Sequence, residues 1–241
     1  MIGQYFTTIW SNAEKKYKEK ILDLIEPNKK GKMIDLGCDN GDWTIKLAKS
    51  MGVRKGNIYG IDVIEDRYID AIKKGIIVKK SDLNKKFPFR NNEFDFVHAN
   101  QVIEHLWDLD KFVSEIKRVL KKGGYAIICT ENISSWHNIF AVTLGFQPFS
   151  VTNISFRGAI GNPLALHVQD SLEEGMRAHG SWHHTRVLAY EGLRDIFVKH
   201  GFKVDYYGGL GYFPFPSLLA NFLSLIDPRH TAFPVLKVRK E

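Results

Sequence analysis

The chain has 241 residues, 44% of them hydrophobic, 25% charged and 12% aromatic, with a formal net charge of +7. That length can bury a full core and suits one domain with an insertion, and recurring Leu, Ile, Val and Phe blocks exclude a disordered chain. Only Cys38 and Cys129 are present, both in apolar strand-like runs, which excludes a disulfide scaffold and points to buried thiols in a reducing compartment.

No apolar stretch reaches the roughly 18–20 residues that span a bilayer. The densest, 213–226, is broken by Pro214, Pro216 and Asn221. The opening MIGQYFTTIW lacks the basic flank, apolar centre and small-residue cleavage site of a signal peptide, so a cytoplasmic protein is expected. The lysines fall as scattered pairs, such as Lys29 with Lys30 and Lys73 with Lys74, which suits solvated helix ends better than a nucleic-acid groove.

In chain order, residues 4–25 carry Ile9, Tyr17, Ile21, Leu22 and Ile25 among Lys and Glu, the pattern of an amphipathic helix. KMIDLG predicts a buried strand, 42–51 a helix ended by Gly52, NIYGID a second strand, 65–74 a second helix and GIIVKKSDL a third strand. EFDFVHAN predicts a fourth strand, 109–121 a helix stopped by Gly123 and Gly124, and YAIICTE a fifth strand. Single helices between strands imply parallel βαβ units. From 132 to 182 the alternation stops, and glycines and prolines are interleaved with Trp136, Phe140, Phe146, Phe149 and Phe156. Long irregular insertions of this kind are usually covers or binding segments. The aromatics suit either an apolar acceptor pocket or the core of a small lid. After it, 190–200 predicts a helix, FKVDYYGGL a sixth strand, FPFPSLLANFLSLI a short apolar helix or loop, and AFPVLKVRK a seventh strand. The expected organisation is a core over 1–131, an inserted lid over 132–182 and the rest of the core sheet over 183–241. No lysine occurs from Gly123 to Val198, while six of the nine histidines fall between 137 and 200.

The most informative block is Asp35-Leu36-Gly37-Cys38-Asp39-Asn40-Gly41-Asp42, a strand running into a glycine turn that opens a helix. Gly37 and Gly41 let the backbone turn tightly and approach a ligand, and Asp62, ending the next strand, can accept both hydroxyl protons of a ribose. Asp82 follows the third strand. A dinucleotide site wants G-x-G-x-x-G facing a pyrophosphate, but this turn is acidic and repels phosphate. It suits a cofactor with a cationic amino-acid end, a ribose and no phosphate.

Over 33–131 the chain resembles the class I S-adenosylmethionine-dependent methyltransferases, and NNEFDFVHANQVIEHLWDLDKFVSEIKRVLKKGGYAII is similar to the subgroup containing quinone-pathway enzymes. The resemblance implies a Rossmann-like, doubly wound, seven-stranded, mostly parallel α/β sheet with an antiparallel last strand. It implies that Asp35, Gly37 and Gly41 hold the methionine part, Asp62 the ribose, and Asp82 with Leu83 the adenine. Cys38, Val63, Ser81, Asn100 and Gln101 complete the expected cofactor set. Asp39 stands where many members carry glycine, which bears on the local turn.

Glu104 and His105 resemble the subgroup's Glu-His pair. Some quinone-pathway O-methyltransferases add a glutamate three residues earlier to hold a divalent metal. Gln101 stands there in this chain, and no metal is expected. His105 is a candidate general base, or with Glu104 it shapes the cofactor pocket. The block Gly180-Ser181-Trp182-His183-His184-Thr185-Arg186 looks like the H-x-R segment of methyltransferases from glycan and lipid clusters, so His184 and Arg186 are candidates to face the acceptor. A turn-capping role for His184 is the alternative, and a zinc site lacks further ligands at recognisable spacing.

The expected function is methyl transfer to a small-molecule, glycan or lipid-linked hydroxyl, since the N/D-P-P-Y loop of nucleic-acid amino-methyltransferases is missing after the fourth strand. Nucleic acid is a disfavoured partner. The alternatives are a non-catalytic or partner-dependent cofactor-binding module, or an RNA or protein methyltransferase. The apolar 213–226 segment suits peripheral contact with a membrane or lipid carrier, or cover by the lid or by a second subunit in a homodimer.

Overall fold

The computed structural model describes residues 2–155, 159–165 and 183–241. Phe156, His167, His179, Gly180, Ser181 and Trp182 lie outside the described residues. The elements are α1 (Ile2–Asp23), β1 (Met33–Leu36), α2 (Asp42–Met51), β2 (Ile58–Asp62), α3 (Glu65–Lys73), β3 (Ile77–Lys80), β4 (Phe94–Asn100), α4 (Leu109–Val119), β5 (Leu120–Cys129), α5 (Trp136–Thr143), α6 (Tyr190–Lys199), β6 (Phe202–Leu210), α7 (Ser217–Ile226) and β7 (Phe233–Lys240).

The strands form one seven-stranded sheet in the order β3-β2-β1-β4-β5-β7-β6. The first five are parallel, and β7 runs antiparallel between β5 and β6. The expected sheet class is therefore observed. The strand order reverses between β1 and β4, and it is outside such a switch point that open α/β sheets bind ligands.

Period-two alternation sorts the strand residues onto two apolar faces. Ile34, Leu36, Ile61, Val97, Ala126 and Ile128 point to one, where Phe112, Val113 and Ile116 of α4 and Leu193 and Phe197 of α6 cover them. Met33, Ile58, Phe96, Ile127 and Cys129 point to the other, under Tyr17 and Ile21 of α1 and Leu47 and Met51 of α2. Buried side chains of this size contribute roughly 1.5–3 kcal/mol each, so both layers are needed. In α1 the buried positions Ile9, Ala13, Tyr17 and Ile21 recur every fourth residue, one stripe of a helix, and Ile25 just beyond its end is buried in the same layer. In α4 the Asp108 carboxylate caps the first turn by accepting from the Lys111 N–H at 2.9 Å.

The first helix runs over Ile2–Asp23 rather than 4–25, and the largest departure from expectation is at the start of β5. The helix expected over 109–121 ends at Val119, and Leu120 is already extended and paired with Phe94. Gly123, at φ +78°, sits in an irregularity of β5 that carries the register from Phe94 with Leu120 to Phe96 with Tyr125. The apolar segment after β6 resolves into helix α7, Ser217–Ile226. Among the described residues no helix is long and apolar enough to cross a membrane.

Candidate functional site

Both groups of expected site residues lie at the carboxyl ends of the parallel strands. The turn from β1 into α2 has Gly37 at φ +76° and Gly41 at φ +81°, where a side chain would be strained. A Cβ on Gly37 would also lie 2.7 Å from Cγ2 of Val102, and one on Gly41 2.9 Å from the Ala71 backbone. Asp39 takes φ +47°, the left-handed conformation that a glycine at this position would adopt freely. Its N–H donates to Oδ2 of Asp62 at 2.8 Å, and its carboxylate pairs with Arg67 at 2.9 Å, so the departure from glycine is accommodated by local partners.

Asp62 ends β2 and organises the turn. Oδ2 takes the Asp39 N–H, and Oδ1 takes the Ile64 N–H at 2.9 Å. Each carboxylate oxygen can accept a second bond, so a pair of hydroxyls can still dock there. Burial pushes the carboxyl above its ordinary range despite these backbone donors. Cys38 turns its sulfur toward Gly60, where a Cβ would lie 2.6 Å from Sγ, and burial pushes its thiol up, so it packs as a neutral group.

Asp35 is buried and engaged inside the protein. Its Oδ1 meets Nδ1 of His98 at 2.7 Å and its Oδ2 takes the Thr44 hydroxyl at 2.5 Å. Nε2 of His98 accepts from the Trp43 indole at 3.4 Å, which leaves Nδ1–H as the donor to Asp35. The carboxylate thus ties β1, β4 and α2 together and positions the turn. His98, missed by the sequence reading, lies directly across from Asp35 in the β1–β4 register.

Val63 is exposed beside Asp62, and the Ser81 N–H reaches the Asp62 carbonyl at 3.3 Å. Asp82 receives the Asn84 N–H at 2.9 Å in a local turn, and Leu83 enters the core. At the end of β4, Oδ1 of Asn100 and Nε2 of Gln101 are buried and unpartnered. Buried polar atoms are normally satisfied, so an acceptor and a donor left over at a switch point are what a polar ligand would use.

The second group is built on the short turn Ile103–His105. Glu104 is 0% exposed. Its Oε2 accepts from the Thr130 hydroxyl at 2.8 Å, and its Oε1 has no partner. Burial pushes this carboxyl up to about 7, and burial, with His184 alongside, pushes the His105 imidazole down to about 4. His105 is therefore neutral near pH 7. Segment 183–186 docks on this turn: the N–H groups of Thr185 and Arg186 donate to the Glu104 carbonyl at 2.7 and 3.1 Å. That brings the His105 and His184 rings to 4.9 Å between centroids, while Arg186 stays exposed. Nδ1 of His184 meets the Ser150 carbonyl at 2.6 Å and lies 3.7 Å from Glu131, a buried carboxylate that the sequence reading did not single out.

Around this group, Asn132 and Asn138 anchor the segment that follows β5. Asn132 donates to the Thr231 carbonyl at 2.6 Å, and Asn138 donates to the Ser150 hydroxyl at 2.8 Å. Trp136 and Phe140 are exposed, and Phe146 and Phe149 are half-buried. In α7, Leu218 and Leu225 are 87% and 82% exposed.

Comparison with known proteins bears on the family and the fold. A family model for a methyltransferase domain matches residues 9–207. An uncharacterized methyltransferase of Schizosaccharomyces pombe is 33% identical over 115 residues, 43% of this chain and 40% of that protein. The demethylmenaquinone methyltransferase of Bacillus pumilus is 30% identical over 137 residues, 53% of this chain and 56% of its own. The chain thus spans about half the length of these curated relatives. A crystal structure of an S-adenosylmethionine-dependent methyltransferase from Mesorhizobium loti superposes with a TM-score of 0.57 at 18% identity, covering 92% of this chain and 96% of that one. The Haloferax volcanii putative methyltransferase, solved in complex with the Trm112 activator, gives 0.59 at 15% identity, with 98% and 96% covered. At these identities the superpositions show a shared fold.

Proposed function

The chain belongs to the methyltransferase-domain family, and we propose that it transfers the methyl group of S-adenosylmethionine to a hydroxyl oxygen of a small-molecule, glycan or lipid-linked acceptor. The observation that carries the cofactor is the pairing of Asp62, which keeps acceptor capacity at a β2 end, with the unpartnered Asn100 Oδ1 and Gln101 Nε2 one switch point away. The residues fit the group. A carboxylate suits the ribose hydroxyls, a buried acceptor and donor suit the ammonium and carboxylate of the methionine end, and the acidic turn contains no phosphate cradle. Bound there, the sulfonium supplies an already activated methyl.

What the protein must add is alignment and a route for the acceptor proton. Asp35, His98 and Thr44 hold the turn that receives the cofactor, while Ser81, Asp82 and Leu83 flank the position proposed for adenine. Glu104, His105 and His184 form the acceptor end. His105 donates Nδ1–H to the His183 carbonyl at 3.0 Å, so its Nε2 carries the lone pair that can receive a hydroxyl proton. Exposed Arg186 stands at the same end, available to an anionic acceptor group. The bare apolar face of α7 supports an acceptor that carries a lipid tail or is presented at a membrane surface.

Calorimetric titration with S-adenosylmethionine and with S-adenosylhomocysteine tests the cofactor half. Micromolar binding that is lost in Asp62→Ala is expected. A folded wild type that binds neither compound overturns the reading and leaves a binding-only or partner-dependent module. On the acceptor half, unchanged turnover in both His105→Ala and His184→Ala would remove the histidine base.

A further inference from the structure

We propose that Glu104, His105 and His184 form a site for a borderline first-row divalent metal ion of the zinc type, open on one side to the acceptor oxygen. Among the described residues they are the one group of three ligand-type side chains whose ligand atoms lie within 4.8 Å of one another. Three independent features point the same way. Glu104 is fully buried, yet its Oε1 has no hydrogen-bond partner while Oε2 is occupied by Thr130. Each imidazole gives its Nδ1 to a backbone carbonyl, His105 to His183 at 3.0 Å and His184 to Ser150 at 2.6 Å. A carbonyl only accepts, so Nδ1 carries the proton in both rings and Nε2 is left as a lone-pair atom. This is the orientation that outer hydrogen bonds impose on metal-binding histidines.

The chemistry of the set selects the ion. Two neutral imidazoles and one carboxylate suit zinc and its first-row neighbours, whereas magnesium and calcium want several oxygens. Gln101 weighs against a hard cation at this loop, but it says nothing against a softer ion with two nitrogen ligands. His184 was a candidate from the sequence, but its meeting with Glu104 and His105 was not legible there, because His184 lies 79 positions beyond His105 and reaches it only when Thr185 and Arg186 dock on the Glu104 carbonyl. Three protein ligands leave at least one position open, as in catalytic rather than structural sites.

The inference deepens the proposed function and rests on its placement of the acceptor end. An acceptor hydroxyl on the ion would lose its proton to water more readily. Its oxygen then bonds the methyl carbon as the carbon–sulfur bond breaks and sulfur keeps the pair, giving S-adenosylhomocysteine. The imidazoles act as ligands in that case, and the ion takes over the task assigned above to a free ring.

The test uses the full chain, stripped with a chelator and dialysed, and titrated with Co2+ as a spectroscopic probe and with Zn2+ in competition. One equivalent of Co2+ giving a visible d–d band, displaced by Zn2+, is expected. His184→Ala and Glu104→Gln should each weaken binding at least tenfold, while His230→Ala, at a partly exposed histidine elsewhere, leaves it unchanged. Circular dichroism shows which variants fold, and His184→Ala serves if Glu104→Gln does not. Absence of stoichiometric binding in the folded wild type, or equal binding by His184→Ala, overturns the site. Parallel titration with S-adenosylmethionine separates the two readings: cofactor binding without metal binding defeats this inference alone, and metal binding without cofactor binding defeats the methyltransferase reading alone.

Discussion

The Thr185 backbone N–H donates to the Glu104 carbonyl at 2.7 Å, and the Thr185 hydroxyl donates to the Leu106 carbonyl at 2.9 Å. Two segments distant in the chain are thereby clamped as if they were neighbouring strands, and His184 is delivered to the Glu-His turn. Thr185→Pro removes both bonds, since proline has neither an N–H nor a hydroxyl, and leaves the segment held by the Arg186 N–H on the Glu104 carbonyl. Tryptic cleavage after the exposed Arg186 should then quicken about tenfold, the effect of roughly 1.4 kcal/mol of local opening, with little change in global unfolding. An unaltered cleavage rate would show that the clamp does not hold the segment.

Asp62→Ala removes the carboxylate that receives the Asp39 and Ile64 N–H groups and is assigned to the ribose. Losing charge-assisted hydrogen bonds of this kind costs about 2–3 kcal/mol, so affinity for S-adenosylhomocysteine should fall by about 30- to 150-fold. A change below threefold in calorimetry places the ribose elsewhere.

His98→Ala leaves Oδ1 of Asp35 buried with no partner at a position where both residues are almost wholly inaccessible. Removing one member of such a pair costs about 3 kcal/mol. Urea denaturation should show that loss, and a destabilisation under 1 kcal/mol would mean that water or Trp43 replaces the imidazole.

Glu115 gives a pH signature. Burial disfavours its charge, but the Arg118 hydrogen bonds and the Phe87 N–H outweigh it and hold the carboxyl below the ordinary glutamate range. A depressed carboxylate contributes stability above its unfolded pKa, and that contribution is lost as pH falls through the folded value. Glu115→Gln should therefore cost about 2 kcal/mol at pH 7, with the gap to wild type closing below about pH 4. Denaturation curves at pH 7 and pH 3 that differ from wild type by the same amount would refute the ionic origin.

Leu218 and Leu225 are both more than 80% exposed, so replacing the two with serine should move stability by no more than about 0.5 kcal/mol. If α7 meets a lipid surface, sedimentation with anionic vesicles should fall at least fivefold in the same variant. Equal sedimentation removes the membrane role from this helix.

What the sequence determined by itself was the layering. Strand-like runs alternating with helix-like ones, each with its own hydrophobic period, imply parallel βαβ units, because period two and period 3.6 cannot be satisfied by one conformation, while the doubly wound order was what the family resemblance implied. The acidic residue at the end of β2 and the glycine turn after β1 were legible for the same reason: they sit at fixed offsets from strand ends. Where Leu120 leaves the helix was not legible, because pairing with Phe94 overrides the local preference of a lysine-rich segment. Tertiary structure alone decided that Asp35 faces His98 and Thr44 across strand and helix, and that Glu104, His105 and His184 converge. Those relationships depend on strand register and on backbone docking between segments 79 residues apart, and local sequence carries no record of either.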